Sequence, residues 1–127
     1  MIKPDAVAKN AIGSIIQQVE EDGFRVVHMV LQHLTQEQAA AFYEVHKERP
    51  FYGELIEFMT SGPSVQLALE RENAVARLRE VVGATDSTKA ESGTIRNRFG
   101  TDIQCNAVHA SDSVENGRRE VAFYFGE

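Results

Sequence analysis

The 127-residue chain is 43% apolar and 25% charged with a net charge of −6, the ordinary balance of a soluble globular fold. The acidic balance excludes a general nucleic-acid binder, which needs a basic face to displace counterions, but leaves a local basic site open. The lone Cys105 excludes an intrachain disulfide, no apolar run approaches a membrane span, and M-I-K-P-D-A has no signal-peptide core, so a cytoplasmic protein is expected.

No repeat or low-complexity tract divides the chain, and residues 1–127 read as one domain. After Asn10, the spacing of Ile12, Ile15, Ile16 and Val19 predicts a helix closed by Gly23. Phe24 to Gln32, rich in β-branched residues, predicts a strand. Thr35 and Gln38 form a capping box for a helix through His46, and Pro50 separates it from another helix over Phe51 to Met59.

The turn at Ser61 to Pro63 delivers a strand over Ser64 to Leu69. Asn73 caps a helix carrying Val75, Leu78, Val81 and Val82, stopped by Gly83. Ala84 to Thr101 is polar and aperiodic and reads as a long functional loop. A short strand over Ile103 to His109 follows, and Ser113 caps a last helix with Val114, Val121 and Phe125. This order fits either a parallel α/β sheet or a split βαβ fold with an antiparallel sheet, and periodicity does not choose between them.

The chain has neither a P-loop nor a dinucleotide fingerprint, and no G-x-S-x-G turn. His28, His33, His46 and His109 make no H-x-x-x-H pair, so no protein metal site is expected. Lys3, Arg79 and Arg96 would form a triphosphate clamp if they converged, with Thr85 and Thr94 adding hydroxyls; taken singly, each reads as a solvated charge. Phe51 and Tyr52 could stack a base or pack in the core, and Tyr43 has the same plain core reading. His109 taken alone reads better as a packed residue than as a catalyst. A Glu120 carboxylate on one of its ring nitrogens would free the other as a nucleophile.

Five ordered segments bear on these alternatives. I-K-P-D-A-V (Ile2 to Val7), H-K-E-R-P-F (His46 to Phe51), F-M-T-S-G-P (Phe58 to Pro63), G-T-I-R (Gly93 to Arg96) and N-A-V-H-A-S-D-S (Asn106 to Ser113) closely resemble the bacterial nucleoside diphosphate kinases. The resemblance implies an α+β fold: a ferredoxin-like split βαβ core with a four-stranded antiparallel sheet covered by helices. It implies transfer of the terminal phosphoryl group from a nucleoside triphosphate to a nucleoside diphosphate, in a ping-pong reaction through a phosphohistidine.

By the same resemblance, His109 carries the phosphoryl group, Glu120 orients it, and Ser111 and Tyr43 support the site. Lys3, Arg79, Thr85 and Arg96 hold phosphates, and Lys3 and Asn106 reach the sugar. Phe51 stacks the base, with Leu55 and Ile103 lining the slot. Mg²⁺ arrives with ATP or another nucleotide, bridging phosphate oxygens. The partners implied are nucleoside tri- and diphosphates and further copies of the chain in a dimer-based tetramer or hexamer, with no membrane and no specific nucleic acid.

The chain departs from the family pattern in several places. Against that pattern it carries little of the first strand ahead of I-K-P-D and is clipped after Glu127, so a shortened central strand is expected. Ala110 stands where glycine usually follows the histidine and would be strained only if φ there is positive. Asp86 and Ser87 replace Asn-Pro, Arg71 replaces a common glycine, and Arg98 replaces an acidic residue.

Overall fold

The computed structural model describes residues 1–126. A first helix, α1 (Pro4–Ala8), starts on a proline whose fixed φ suits a first turn and whose missing N–H costs nothing there. Five residues are too few for periodicity to signal it. α2 (Ile12–Glu21) buries Ile15 and Val19, and Gly23 at φ 91° turns the chain into β1 (Arg25–Gln32). β1 pairs antiparallel with β2 (Ser64–Glu70), from Arg25 opposite Glu70 to Gln32 opposite Ser64.

Between the two strands, the capping box of Thr35 and Gln38 opens α3 (Gln36–Phe42). α3 does not continue to His46; it ends at Phe42 and a 3₁₀ turn covers Glu44–His46. Phe42 and Tyr43 are both buried, and successive helical residues point roughly 100° apart, so a change of winding after Phe42 lets both rings enter one cluster. α4 (Tyr52–Met59) packs on α3 through Ile56 and Met59, together with Leu34 and Ala39.

α5 (Ala74–Val82) ends at Gly83, φ 91°, as its sequence predicts. Asn73 precedes it in a left-handed conformation, φ 54°, but its side chain makes no capping bond, so it serves the turn and not the cap. The stretch 84–101 is more ordered than a loop. It holds a 3₁₀ turn at Ser87–Lys89 and α6 (Ile95–Phe99), whose cap is the Thr94 hydroxyl accepting from Asn97 N at 3.2 Å. That capping signal is carried by two residues and is easily passed over in a polar run.

The strand expected over Ile103 to His109 shrinks to one bridge, at Val108. The Asp102 carboxylate accepts from Gln104 N at 2.9 Å and Cys105 N at 2.6 Å, which folds this segment into a turn instead. Ser113 Oγ then accepts from Asn116 N at 3.1 Å and opens α7 (Val114–Phe125).

Ile2 bridges antiparallel to Val65 on one side and to Val108 on the other. The rows therefore run β1, β2, Ile2, Val108, the antiparallel split βαβ order, which removes the parallel alternative. Of the four expected strands, two are complete and two are reduced to bridges. Ile2, Ile15, Val65, Val82, Ile95 and Val108 form the central core. The sheet thereby sets Met1 beside His109, and each donates its nitrogen to the other's carbonyl at 2.8 Å.

Candidate active site

His109 follows the Val108 bridge, and Glu120 projects from the second turn of α7. Their meeting fixes the imidazole: His109 Nε2 lies 2.8 Å from Glu120 Oε1, which also accepts from Ser111 Oγ at 2.7 Å. Burial raises the Glu120 carboxyl, but the His109 and Ser111 bonds and the nearby Arg119 outweigh it and hold it below the usual carboxylate range. Burial lowers His109, against the opposing pull of Glu120, so the ring is neutral at pH 7. A carboxylate on Nε2 keeps the proton there and leaves the Nδ1 lone pair free. Nδ1 has no hydrogen-bond partner among the described residues.

Phe42, which no local motif marks, meets the His109 ring edge-on at 5.6 Å between centroids. Arg119 lies over the same Phe42 ring at 5.9 Å and 3.6 Å from Glu120 Oε2. Tyr43 is also edge-on to His109, at 6.3 Å; its buried hydroxyl is without a partner among the described residues, and burial keeps it protonated.

The cations converge on the same backbone. Lys3 Nζ donates to Asn106 Oδ1 at 2.9 Å, and Asn106 Nδ2 donates to the Thr85 carbonyl at 3.0 Å. Arg96 is buried and donates to the carbonyls of Gly83 at 3.1 Å and Val108 at 2.9 Å. Arg79 donates to the Ala110 carbonyl at 3.2 Å. None of the three cations has a carboxylate ion-pair partner among the described residues. Burial and then Arg96 push Lys3 down to about 8, and burial with Arg79 lowers Arg96. Three like charges gathered without an ion-pair partner, with Asp5 acting on Lys3 and Asp112 on Arg79 only from beyond ion-pair distance, suit a polyanionic ligand.

Thr85 has an exposed side chain, and its backbone carbonyl alone contacts Asn106. Thr94 caps α6. Phe51 and Ile103 are 47% and 64% exposed, an unusual loss of apolar burial, while Leu55 is half-buried at the edge of the α3–α4 cluster. His46 bridges the two ends of the site, stacked near Tyr43 at 6.4 Å and tilted against Phe51 at 5.8 Å. A cavity of about 540 Å³ touches His109, Ser111 and Glu120 from the side of Leu67, Leu78 and Val121. Lys3, Arg79, Arg96 and Phe51 do not line it, so it lies apart from the cation cluster.

The departures are absorbed locally. Positive φ outside glycine occurs among the described residues at Asn10, Asn73 and Ala107, so Ala110 carries no left-handed strain. Arg71 reaches Asp22 Oδ2 at 3.0 Å and covers the Phe24 ring, and Arg98 lies over Phe99 and reaches Gln18 at 2.5 Å. Ser87 has a buried hydroxyl without a partner among the described residues. No group of three or more His, Cys, Asp or Glu side chains among the described residues could hold a metal.

The family model for nucleoside diphosphate kinase matches residues 1–127. The chain belongs to the nucleoside diphosphate kinase family. It is 55% identical over 127 residues to the nucleoside diphosphate kinase of a Nitratiruptor species, spanning 100% of this chain and 93% of that one. It is 56% identical over 127 residues to the enzyme of Anaeromyxobacter dehalogenans, spanning 100% and 86%. The crystal structure of the Aquifex aeolicus nucleoside diphosphate kinase superimposes with a TM-score of 0.95 at 46% identity, over 98% of this chain and 90% of that one. That of the Halobacterium salinarum enzyme, solved in complex with CDP, gives 0.94 at 34% identity, over 99% and 84%. The reaction of the family, and of this chain as a member, is transfer of a terminal phosphoryl group between nucleoside tri- and diphosphates, with a histidine as the intermediate carrier.

Proposed function

We propose that His109 is that carrier and that its Nδ1 is the attacking atom. The observation that supports this most directly is the Nε2 to Glu120 bond, which leaves Nδ1 as the free nucleophile. The Nδ1 lone pair attacks the γ-phosphorus, an N–P bond forms as the bond to the bridging oxygen breaks, and the diphosphate leaves. A second diphosphate then takes the group back along the same line, which gives ping-pong kinetics.

Lys3, Arg79 and Arg96 supply positive charge where the phosphate oxygens gather. Asn106 and Lys3 reach the ribose, Thr85 reaches a phosphate, and the exposed Phe51 stacks the base beside Leu55 and Ile103. Stacking accepts any base, which suits broad specificity. Ser111 and Tyr43 steady the Glu120 and imidazole ends of the pair. The donor set here is cationic and makes no cage for a metal, so Mg²⁺ fits as part of the nucleotide, screening its phosphates. The lone Cys105 supports a cytoplasmic setting.

β1 is an edge strand whose outer face exposes Val27 at 40%, Met29 at 57% and Leu31 at 59%. An apolar face beside an unpaired edge supports assembly with a second copy of the chain.

The test of the reaction is labelling with γ-labelled ATP followed by a chase with a different nucleoside diphosphate. The expected result is an acid-labile phosphoprotein whose label moves to the diphosphate. Equal labelling of His109→Ala would sink the assignment of the carrier.

A further inference from the structure

We infer that Asp5 is a positioning residue for the reaction, acting on the backbone that aims His109. The inference rests on His109 being the phosphoryl carrier. Two residues before it, Ala107 is fully buried with φ 73°. Val108 N donates to the Asn106 carbonyl at 2.9 Å across it, so residues 106–108 form a tight γ-turn of the strained, positive-φ kind. An alanine left to itself avoids this conformation by about tenfold in population. Something has to hold it there.

The K-P-D segment does so from both sides of the peptide. Asp5 Oδ2 accepts from Ala107 N at 3.1 Å, and the Ala107 carbonyl accepts from Lys3 N at 2.8 Å. Lys3 Nζ holds the Asn106 side chain, and Arg96 holds the Val108 carbonyl at 2.9 Å. In this set Asp5 alone satisfies the N–H of the strained residue. Without its carboxylate that N–H is buried and unpaired, and the turn gains by relaxing to negative φ. Such a relaxation rotates the chain at Ala107, turning the Val108–His109 segment relative to Asn106 and the residues before it. The imidazole then loses its register with Glu120, which is fixed separately on α7.

The test is a double-mutant cycle on steady-state exchange, with acid-labile labelling as the check on the carrier itself. Asp5→Ala is expected to lower kcat by roughly tenfold with KM within about twofold. Adding Ala107→Gly is expected to restore most of that loss, because glycine occupies positive φ without penalty. Asp5→Asn keeps a neutral acceptor in the same shape, so a smaller fall of about threefold is expected, again removed by Ala107→Gly. The ¹⁵N resonances of His109 are expected to show a smaller Nε2-protonated fraction in Asp5→Ala alone.

A full kcat in both Asp5 variants overturns the inference. So does a fall that Ala107→Gly leaves untouched, since that marks a general folding role. Failure of the carrier reading shows separately, as label retained by His109→Ala.

Discussion

Glu120 Oε1 sits at the junction of two donors, 2.8 Å from His109 Nε2 and 2.7 Å from Ser111 Oγ. One carboxylate oxygen thereby fixes both the tautomer and the tilt of the ring. In the proposed reaction it would also stabilise the positive charge that the imidazole gains as Nδ1 takes the phosphoryl group. The second oxygen faces Arg119, which the Phe42 ring holds from beneath.

Glu120→Gln keeps the shape of this junction and removes its charge. A hydrogen bond to a charged group stabilises by about 1.5–3 kcal/mol, so kcat should fall roughly tenfold to hundredfold. Nucleotide affinity, measured by calorimetry, should change by less than about threefold. Equal loss of both would assign Glu120 a folding role.

Lys3 should take up protons when nucleotide binds. Its folded pKa of about 8 lies below the ordinary lysine value, so folding penalises the charged form. That penalty is complete below about pH 8 and fades as pH rises from 8 toward the ordinary lysine value of 10.5. In the proposed complex, phosphate oxygens beside Lys3 would reverse the balance and raise its pKa. Calorimetry at pH 8 in buffers of different ionisation enthalpy should show uptake approaching half a proton, lost in Lys3→Met; no difference between buffers would contradict it.

Gly83 has φ 91°, and an added Cβ would lie 2.6 Å from Thr94 Oγ1 and 2.8 Å from Thr94 Cβ. Its carbonyl also accepts from Arg96. Gly83→Ala should therefore destabilise the protein by about 2–3 kcal/mol and weaken nucleotide binding as Arg96 shifts. Chemical denaturation and a binding titration check the two effects. Gly13→Ala, with nothing within 4 Å of the added atom, is the control and should be neutral or slightly stabilising.

Charging the exposed face of β1 tests assembly. Met29→Lys together with Leu31→Glu places unlike charges on an apolar patch two residues apart, without touching the site. Sedimentation velocity should show a larger species for the wild-type chain and a monomer for the variant. A monomer in both would remove the proposed interface.

What the sequence determined by itself is what depends on neighbours within about four positions. The capping box at Thr35, the Ser113 cap, the left-handed stops at Gly23 and Gly83, and the β-branched run of β1 all stand where local chemistry puts them. Local rules failed where packing or side-chain turns intervened, ending α3 at Phe42 and folding residues 102–105 around the Asp102 carboxylate. The motif segments named the candidate residues through resemblance, but no spacing within them says which nitrogen of His109 is free.

Tertiary structure decided that. Lys3 meets Asn106 across 103 positions because Ile2 threads between Val65 and Val108, and His109 meets Glu120 across 11 because α7 packs beside the segment that follows the Val108 bridge. The octapeptide from Asn106 to Ser113 carries its histidine openly. Its strained residue, Ala107, looks like the most ordinary one in it, since an alanine announces a positive φ only once Asp5 is seen beside its N–H.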